Sequence, residues 1–263
     1  MRLVTPETMA MIDSAAQREG GIPGMILMEQ ASLAVADAVA RHCEANLESR
    51  ILCLAGAGNN GGDALAAARN LSVRGFSRAT VVLVRPSGNE QFNLQLDICR
   101  RLELPILHWE DQEVRHVVAE SDVIVDGISG TGLRGNLRGA AAELIDCVNT
   151  ICNERQRPPY TVAVDIPSGM HSKGDSRTRC LPADMTIAMG LPKTTLYNPL
   201  FRSRCGEIRI VNPGFPARYL LMGDEGHQLV TADDALLPPL GSDSFKSRRG
   251  HALVFAGSPD YPG

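Results

Sequence analysis

Apolar positions along this chain fall into two alternating rhythms. Thr5, Pro6 and Glu7 form an N-cap, a first-turn proline and a first-turn acid. A helix is expected from there to about Arg18. Gly20-Gly21-Ile22-Pro23-Gly24 then breaks the chain, and Met25 to about Ala45 carries Leu27, Ala31, Val35 and Val39 at helical spacing. Short apolar runs follow at Ile51–Ala55, Thr80–Val84, Val123–Asp126 and Thr161–Asp165, with further strands expected at Met185–Met189 and Glu207–Val211. Runs that are apolar throughout suit strands buried on both faces of a parallel sheet. Helices are expected between them at Asp63 to about Val73, Gln91–Leu102 and Asn136 to about Cys152. This alternation predicts an α/β fold with a mostly parallel, doubly wound sheet.

Beyond Pro213 the pattern becomes irregular. Leu236 to Ser242 reads as a linker, and His251 to Ser258 again reads as a strand running into glycine. The expected organisation is one domain over 1–235, followed by a linker and the first part of a second domain over 236–263.

Composition narrows the possible functions. The 263 residues are 44% hydrophobic and 21% charged, enough for an ordinary globular core. Aromatics are only 4% while glycines number 25, which favours tight turns and backbone contacts to a ligand over an aromatic groove. A net charge of −4 argues against nucleic-acid binding. The seven cysteines are irregularly spaced and form no CxxC, which argues against a disulfide framework or a zinc site and fits reduced, buried thiols in a cytoplasmic protein. The first twenty residues lack the apolar core of a signal peptide, and no run approaches the ~20 apolar residues of a membrane helix.

Three loops each follow directly on an apolar strand: Gly56–Asp63, Asp126–Asn136 and Asp165–Gly169. In an open parallel sheet such loops lie at one edge, where ligands bind. The first contains Asn59, Asn60, Gly61, Gly62 and Asp63 ahead of a helix. Its glycines allow close backbone approach, and the helix N-terminus favours an anion. The plainer alternative is a tight strand–helix turn with Asp63 as its cap. The second loop joins Asp126 to Gly130, Thr131, Gly132, Leu133, Arg134, Gly135 and Asn136. Arg134 suits a phosphate or carboxylate, or is simply a surface charge. In the third, Asp165 ends a strand expected to be buried, where a carboxylate needs a metal, a hydrogen-bond network or a substrate. A loop-capping role is the plainer alternative. Asn60, Asp126 and Ser168 offer only oxygen, which suits a hard cation. His171 is expected to be a solvated surface residue.

Gly56-Ala57-Gly58-Asn59-Asn60-Gly61 also spells the GxGxxG of nicotinamide-dependent dehydrogenases. The next strand ends Val84-Arg85, which would suit the 2′-phosphate of NADP. That fingerprint leaves NNGGD, GTGLRG and DIPSG unexplained.

Taken in order, AGAGNNGGDALAAARNL, VDGISGTGLRG, VAVDIPSG and ADMTIAMGLPKTTL resemble the NAD(P)H-hydrate epimerase family, as does the opening stretch with its LMEQAS element. The similarity covers about Leu3 to Pro213. The tail KSRRGHALVFAGSPDYPG resembles the first strand of an ADP- or ATP-dependent NAD(P)H-hydrate dehydratase domain. The resemblance implies a Rossmann-like three-layer α/β/α sandwich, commonly a homodimer, that interconverts the R and S forms of hydrated NADH and NADPH. It implies a potassium ion at Asn60, Asp126 and Ser168. Substrate contacts carry over to Asn59 through Asp63, Gly130 through Asn136, and Asp165, with Asp165 the chosen general acid/base. Some relatives of this domain act as non-catalytic scaffolds; Asp63, Asp126 and Asp165 are all present here, which favours catalysis. Ala64 stands where the family usually has glycine.

Overall fold

The computed structural model describes residues 1–44, 46–175, 177–223, 226–231 and 234. The stretch 236–263, expected to hold the linker and the start of a second domain, lies outside the described residues. Arg2–His227 forms one unit, and Met1 belongs with the residues from Gln228 onward.

Two helices open the Arg2–His227 unit, α1 (Pro6–Arg18) and α2 (Gly24–His42). Thr5 caps α1 by accepting a hydrogen bond from the Thr8 N–H at 3.2 Å, as its sequence anticipates. Then β1 (Ile51–Ala55), α3 (Asn59–Val73), β2 (Ala79–Leu83), α4 (Glu90–Arg101), β3 (Ile106–His108) and α5 (Val114–Glu120) follow. The remainder is β4 (Val123–Gly127), α6 (Ala140–Glu154), β5 (Tyr160–Val164), β6 (Met185–Met189), β7 (Glu207–Val211) and the single turn α7 (Ala217–Leu220).

The seven strands form one sheet in the order β3-β2-β1-β4-β5-β6-β7, and every pairing is parallel. Strand pleating sorts the core. Ile51, Cys53 and Ala55 face a cluster built with α2, α3 and α4, while Leu52 and Leu54 face one containing α5 and α6 residues such as Val118 and Leu144. The result is a three-layer sandwich. A third cluster joins α1 to Phe215 and Tyr219.

Several boundaries differ from expectation. No elements were expected between Leu102 and Val123, yet β3 and α5 lie there. Both are short, and β3 sits at the sheet edge half-buried, so neither imposes a clear rhythm on the sequence. The third helix starts at Asn59, four residues earlier than expected, so the glycines belong to its first turn and Asp63 is not its cap. The sixth starts at Ala140, leaving Asn136 in the preceding loop. All seven cysteines are free, with Cys43 and Cys152 half-buried and the rest buried.

Candidate active site

The strand order reverses between β1 and β4, the switch point where an open parallel sheet leaves a crevice at its carboxyl edge. The loops after β1, β4, β5 and β6 all emerge there. Two glycines let the first lie flat. A Cβ on Gly56 would fall 1.8 Å from the Ile128 carbonyl oxygen, and one on Gly61 would fall 1.6 Å from that of Gly56. Gly58 caps α3 in an extended conformation with open space around it, so its face is free for a ligand.

Asn59 and Asn60 then point different ways. The Asn59 Oδ1 accepts a 2.5 Å hydrogen bond from the Asn89 amide, whose own Oδ1 caps α4. Asn60, largely buried, donates from Nδ2 to the Ser129 carbonyl at 3.0 Å. Its Oδ1 is left beside Gly130, where a Cβ would sit 3.0 Å away.

Ser129 is the hub that gathers the second and third loops. Its N–H donates to Ser168 Oγ at 2.8 Å, its hydroxyl accepts from the Gly169 N–H at 2.9 Å, and its carbonyl accepts from Ser168 Oγ at 3.2 Å. Asp126 has no exposed surface, and its carboxylate accepts from the Ser168 N–H at 2.7 Å and the Ile128 N–H at 3.3 Å. Burial pushes its pKa up to about 6, against the pull of the Ser168 and Ile128 hydrogen bonds. Asn60, Asp126 and Ser168 therefore do meet, as one oxygen-lined knot around Ser129. Among the described residues no group of three or more His, Cys, Asp or Glu side chains is placed to hold a metal.

Asp165 lies just past the end of β5 instead of closing it, and turns into the left-handed region at φ 67°. A non-glycine residue is strained there and must be held. Its N–H donates to the Ile187 carbonyl at 2.9 Å. Its Oδ1 accepts from the Met189 N–H at 3.1 Å and from Lys193 Nζ at 2.5 Å. The partner that a buried carboxylate demands is thus Lys193, which is itself completely buried and also donates to the Met189 carbonyl. Lys193 is locked in turn by the N-terminal segment: Val4 N–H donates to the Pro192 carbonyl, and Thr194 N–H to that of Val4.

Asp165 and Lys193 line a cavity of about 620 Å³ together with Asp13, Asn59, Asn60 and Asp63. Asp13 comes from α1 and accepts a 2.8 Å hydrogen bond from Gln17. Burial raises its pKa, opposed by Gln17 and reinforced by the charge of Asp165. Burial raises that of Asp63 far more, with Asp165 and Asp13 adding repulsion. The Thr131–Leu133 segment separates this cavity from a second of about 520 Å³, lined by Arg134, Gly135, His171, Lys173 and Thr195. His171 is buried, not solvated as expected, and its Nε2 lies 3.0 Å from Asn136 Oδ1. Arg134 is exposed on the loop between the cavities.

Lys193 and Asp13 received no role from the sequence. Lys193 follows a strand and a Gly-Leu-Pro turn, so the rule that selected the other three loops selects it too. Asp13 sits on an ordinary amphipathic helix, with no local mark of a site.

A switch-point cavity floored by a helix N-terminus and holding an ion-paired carboxylate defines a Rossmann-like α/β domain equipped for ligand binding and proton transfer. The model of the family described as YjeF-related protein N-terminus matches residues 24–195, and the chain belongs to that family. It is 33% identical over its whole length to half of the bifunctional NAD(P)H-hydrate repair enzyme Nnr of Moorella thermoacetica. The chain spans about half the length of this and the archaeal Nnr relative of Archaeoglobus fulgidus, which is 29% identical. It is also 32% identical, over 80% of its length and 95% of the relative's, to the NAD(P)H-hydrate epimerase of Limosilactobacillus fermentum. The crystal structure of the yeast protein ynu0 superposes with a TM-score of 0.71 at 21% identity, covering 89% of this chain and 98% of the yeast chain, and shares the fold.

Proposed function

We propose that this chain epimerises hydrated NADH and NADPH, interconverting their R and S forms, and that it is the epimerase part of a bifunctional repair protein whose dehydratase lies beyond 1–235. The observation that carries this is the Asp165–Lys193 pair at the switch-point cavity. The names of the relatives from Limosilactobacillus fermentum and Moorella thermoacetica support the substrate.

Water adds to an enamine double bond with its oxygen on the carbon next to nitrogen. Inverting that carbon needs proton transfers at the hydroxyl and the ring nitrogen, and no redox step. Asp165, oriented by Lys193 and by the Met189 N–H, is the general acid/base. Asn59 to Asp63, at the start of α3, and Gly130 to Asn136 are the segments assigned to the substrate; the helix N-terminus suits its pyrophosphate.

Asn60, Asp126 and Ser168 fit a potassium ion. The donors are all oxygen, the single carboxylate is wholly buried, and the Asn60 Oδ1 lies beside Gly130 while its Nδ2 donates to the Ser129 carbonyl. Asn60, Asp126 and Ser168 would hold the ion, whose positive charge would favour the ionised form of the Asp126 carboxyl. The reading also includes two copies acting as a homodimer in the cytoplasm; among the described residues no helix is long and apolar enough to cross a membrane.

The test is to mix the chain with pure R-form substrate and follow appearance of the S form by chromatography, in potassium and in sodium. Conversion is expected to be faster in potassium and lost in Asp165→Asn. Hydride transfer to NADP without epimer conversion would replace this proposal with the dehydrogenase alternative, and binding without either reaction would favour the scaffold.

A further inference from the structure

We infer that Asp63 is a second catalytic carboxyl, the proton donor to the ring nitrogen, working in the same cavity as Asp165, the proton acceptor; this rests on the epimerase reading. The two acids line one cavity but receive opposite treatment. Asp165 has a buried ammonium and a backbone N–H on its Oδ1. Among the described residues no donor reaches the Asp63 carboxyl. The charged groups lining its cavity are Asp13 from α1, Asp165 after β5 and Lys193 after β6, and among the described residues the smaller recess it also lines adds neutral Gln17 and Gln91 and no further charge. Lys193 is committed to Asp165 and the Met189 carbonyl. Ionising Asp63 would place a further negative charge beside Asp13 and Asp165 against that one lysine. The carboxyl that no donor reaches is the one that keeps its proton, which assigns Asp63 as the acid and the ion-paired Asp165 as the base. The strong upward push on Asp63 from burial points the same way.

The chemistry balances with these two groups alone. Asp165 takes the proton of the substrate hydroxyl. The bond from the hydrated carbon to the ring nitrogen breaks, its electron pair goes to nitrogen, and nitrogen takes the proton of Asp63. The product is an open-chain aldehyde with the same atoms as the substrate. Rotation about the bond to the aldehyde carbon presents its other face to nitrogen. On closure nitrogen returns its proton to Asp63, and the carbonyl oxygen takes back the proton held by Asp165. Water, oxidant and reductant are not consumed.

The experiment compares the full chain with Asp63→Asn and Asp63→Ser across the pH range, reading epimer conversion. Wild-type kcat is expected to be bell-shaped, with its alkaline limb set by Asp63. Both variants are expected to lose about 10²–10⁴-fold in kcat and to lose the alkaline limb, with KM changed only a few-fold. Asp63→Glu is expected to keep that limb at reduced rate. Should Asp63→Asn fail to fold, Asp63→Ser supplies the same comparison. An infrared spectrum of wild type should in addition show a protonated-carboxyl band at neutral pH that Asp63→Ser removes. A folded neutral variant within five-fold of wild type, or one that keeps the alkaline limb, overturns the role of Asp63. A band unchanged in Asp63→Ser also overturns it. Wild type with no conversion at all instead overturns the epimerase reading.

Discussion

Lys193 and Asp165 show how much one buried charge pair asks of its surroundings. Removing the lysine alone leaves a largely buried carboxylate without its counter-ion. Lys193→Met is therefore expected to cost about 3–5 kcal/mol of stability in urea denaturation; a loss below ~1 kcal/mol would show the pair to be well hydrated. Asp63 gives the opposite sign. Its proton is held more tightly in the folded than in the unfolded chain, so its favourable contribution is complete below the ordinary carboxylate value of 3.8 and is lost as pH rises through its elevated folded value. Asp63→Asn escapes that loss. Its melting temperature should gain on wild type steadily as pH is raised from about 4 to 9, measured by calorimetry; an advantage that shrinks with pH would contradict this. Among the described residues, the buried hydroxyl of Thr195 finds no hydrogen-bond partner. Thr195→Val should raise stability by about 1 kcal/mol, and a destabilised variant would mean the hydroxyl is satisfied.

At the level of elements, the loop after β1 depends on near-contact between backbones. A methyl on Gly61 has nowhere to go, because the Gly56 carbonyl occupies its place. Gly61→Ala is expected to lose about 3 kcal/mol or more in equilibrium unfolding, whereas Gly58→Ala, facing open space, should lose far less. Equal losses would show that conformation, not contact, sets the requirement. These glycines were legible as a motif, but the Ile128 carbonyl that crowds Gly56 was not, since nothing local in the sequence records which strand end lies across from the loop. Ala64 shows the same limit. Its methyl occupies fully buried space next to Gly127, where a second Cβ would come within 2.5 Å. The sequence showed the alanine and could not show that Gly127 makes room for it.

Across the whole molecule, the strands buried on both faces announced themselves as unbroken apolar runs, and the parallel three-layer fold followed from their alternation with helices. β3 and α5 escaped because a three-residue edge strand and a seven-residue helix bury too little to pattern their sequence. The cavity was legible as three converging loops; its fourth loop, its α1 wall and the counter-ion of Asp165 came only from the packing. The seven-stranded order has a further consequence in time. β1 pairs with β4, joining Ile51 to Val123, and the Asp165 carboxylate waits for a lysine near residue 193. A chain growing from its N-terminus makes its helix floor early yet cannot close the Asp165–Lys193 pair until most of the domain has been synthesised. Such distant pairings fold slowly, so a closed Asp165–Lys193 pair certifies that the sheet has been completed through β6.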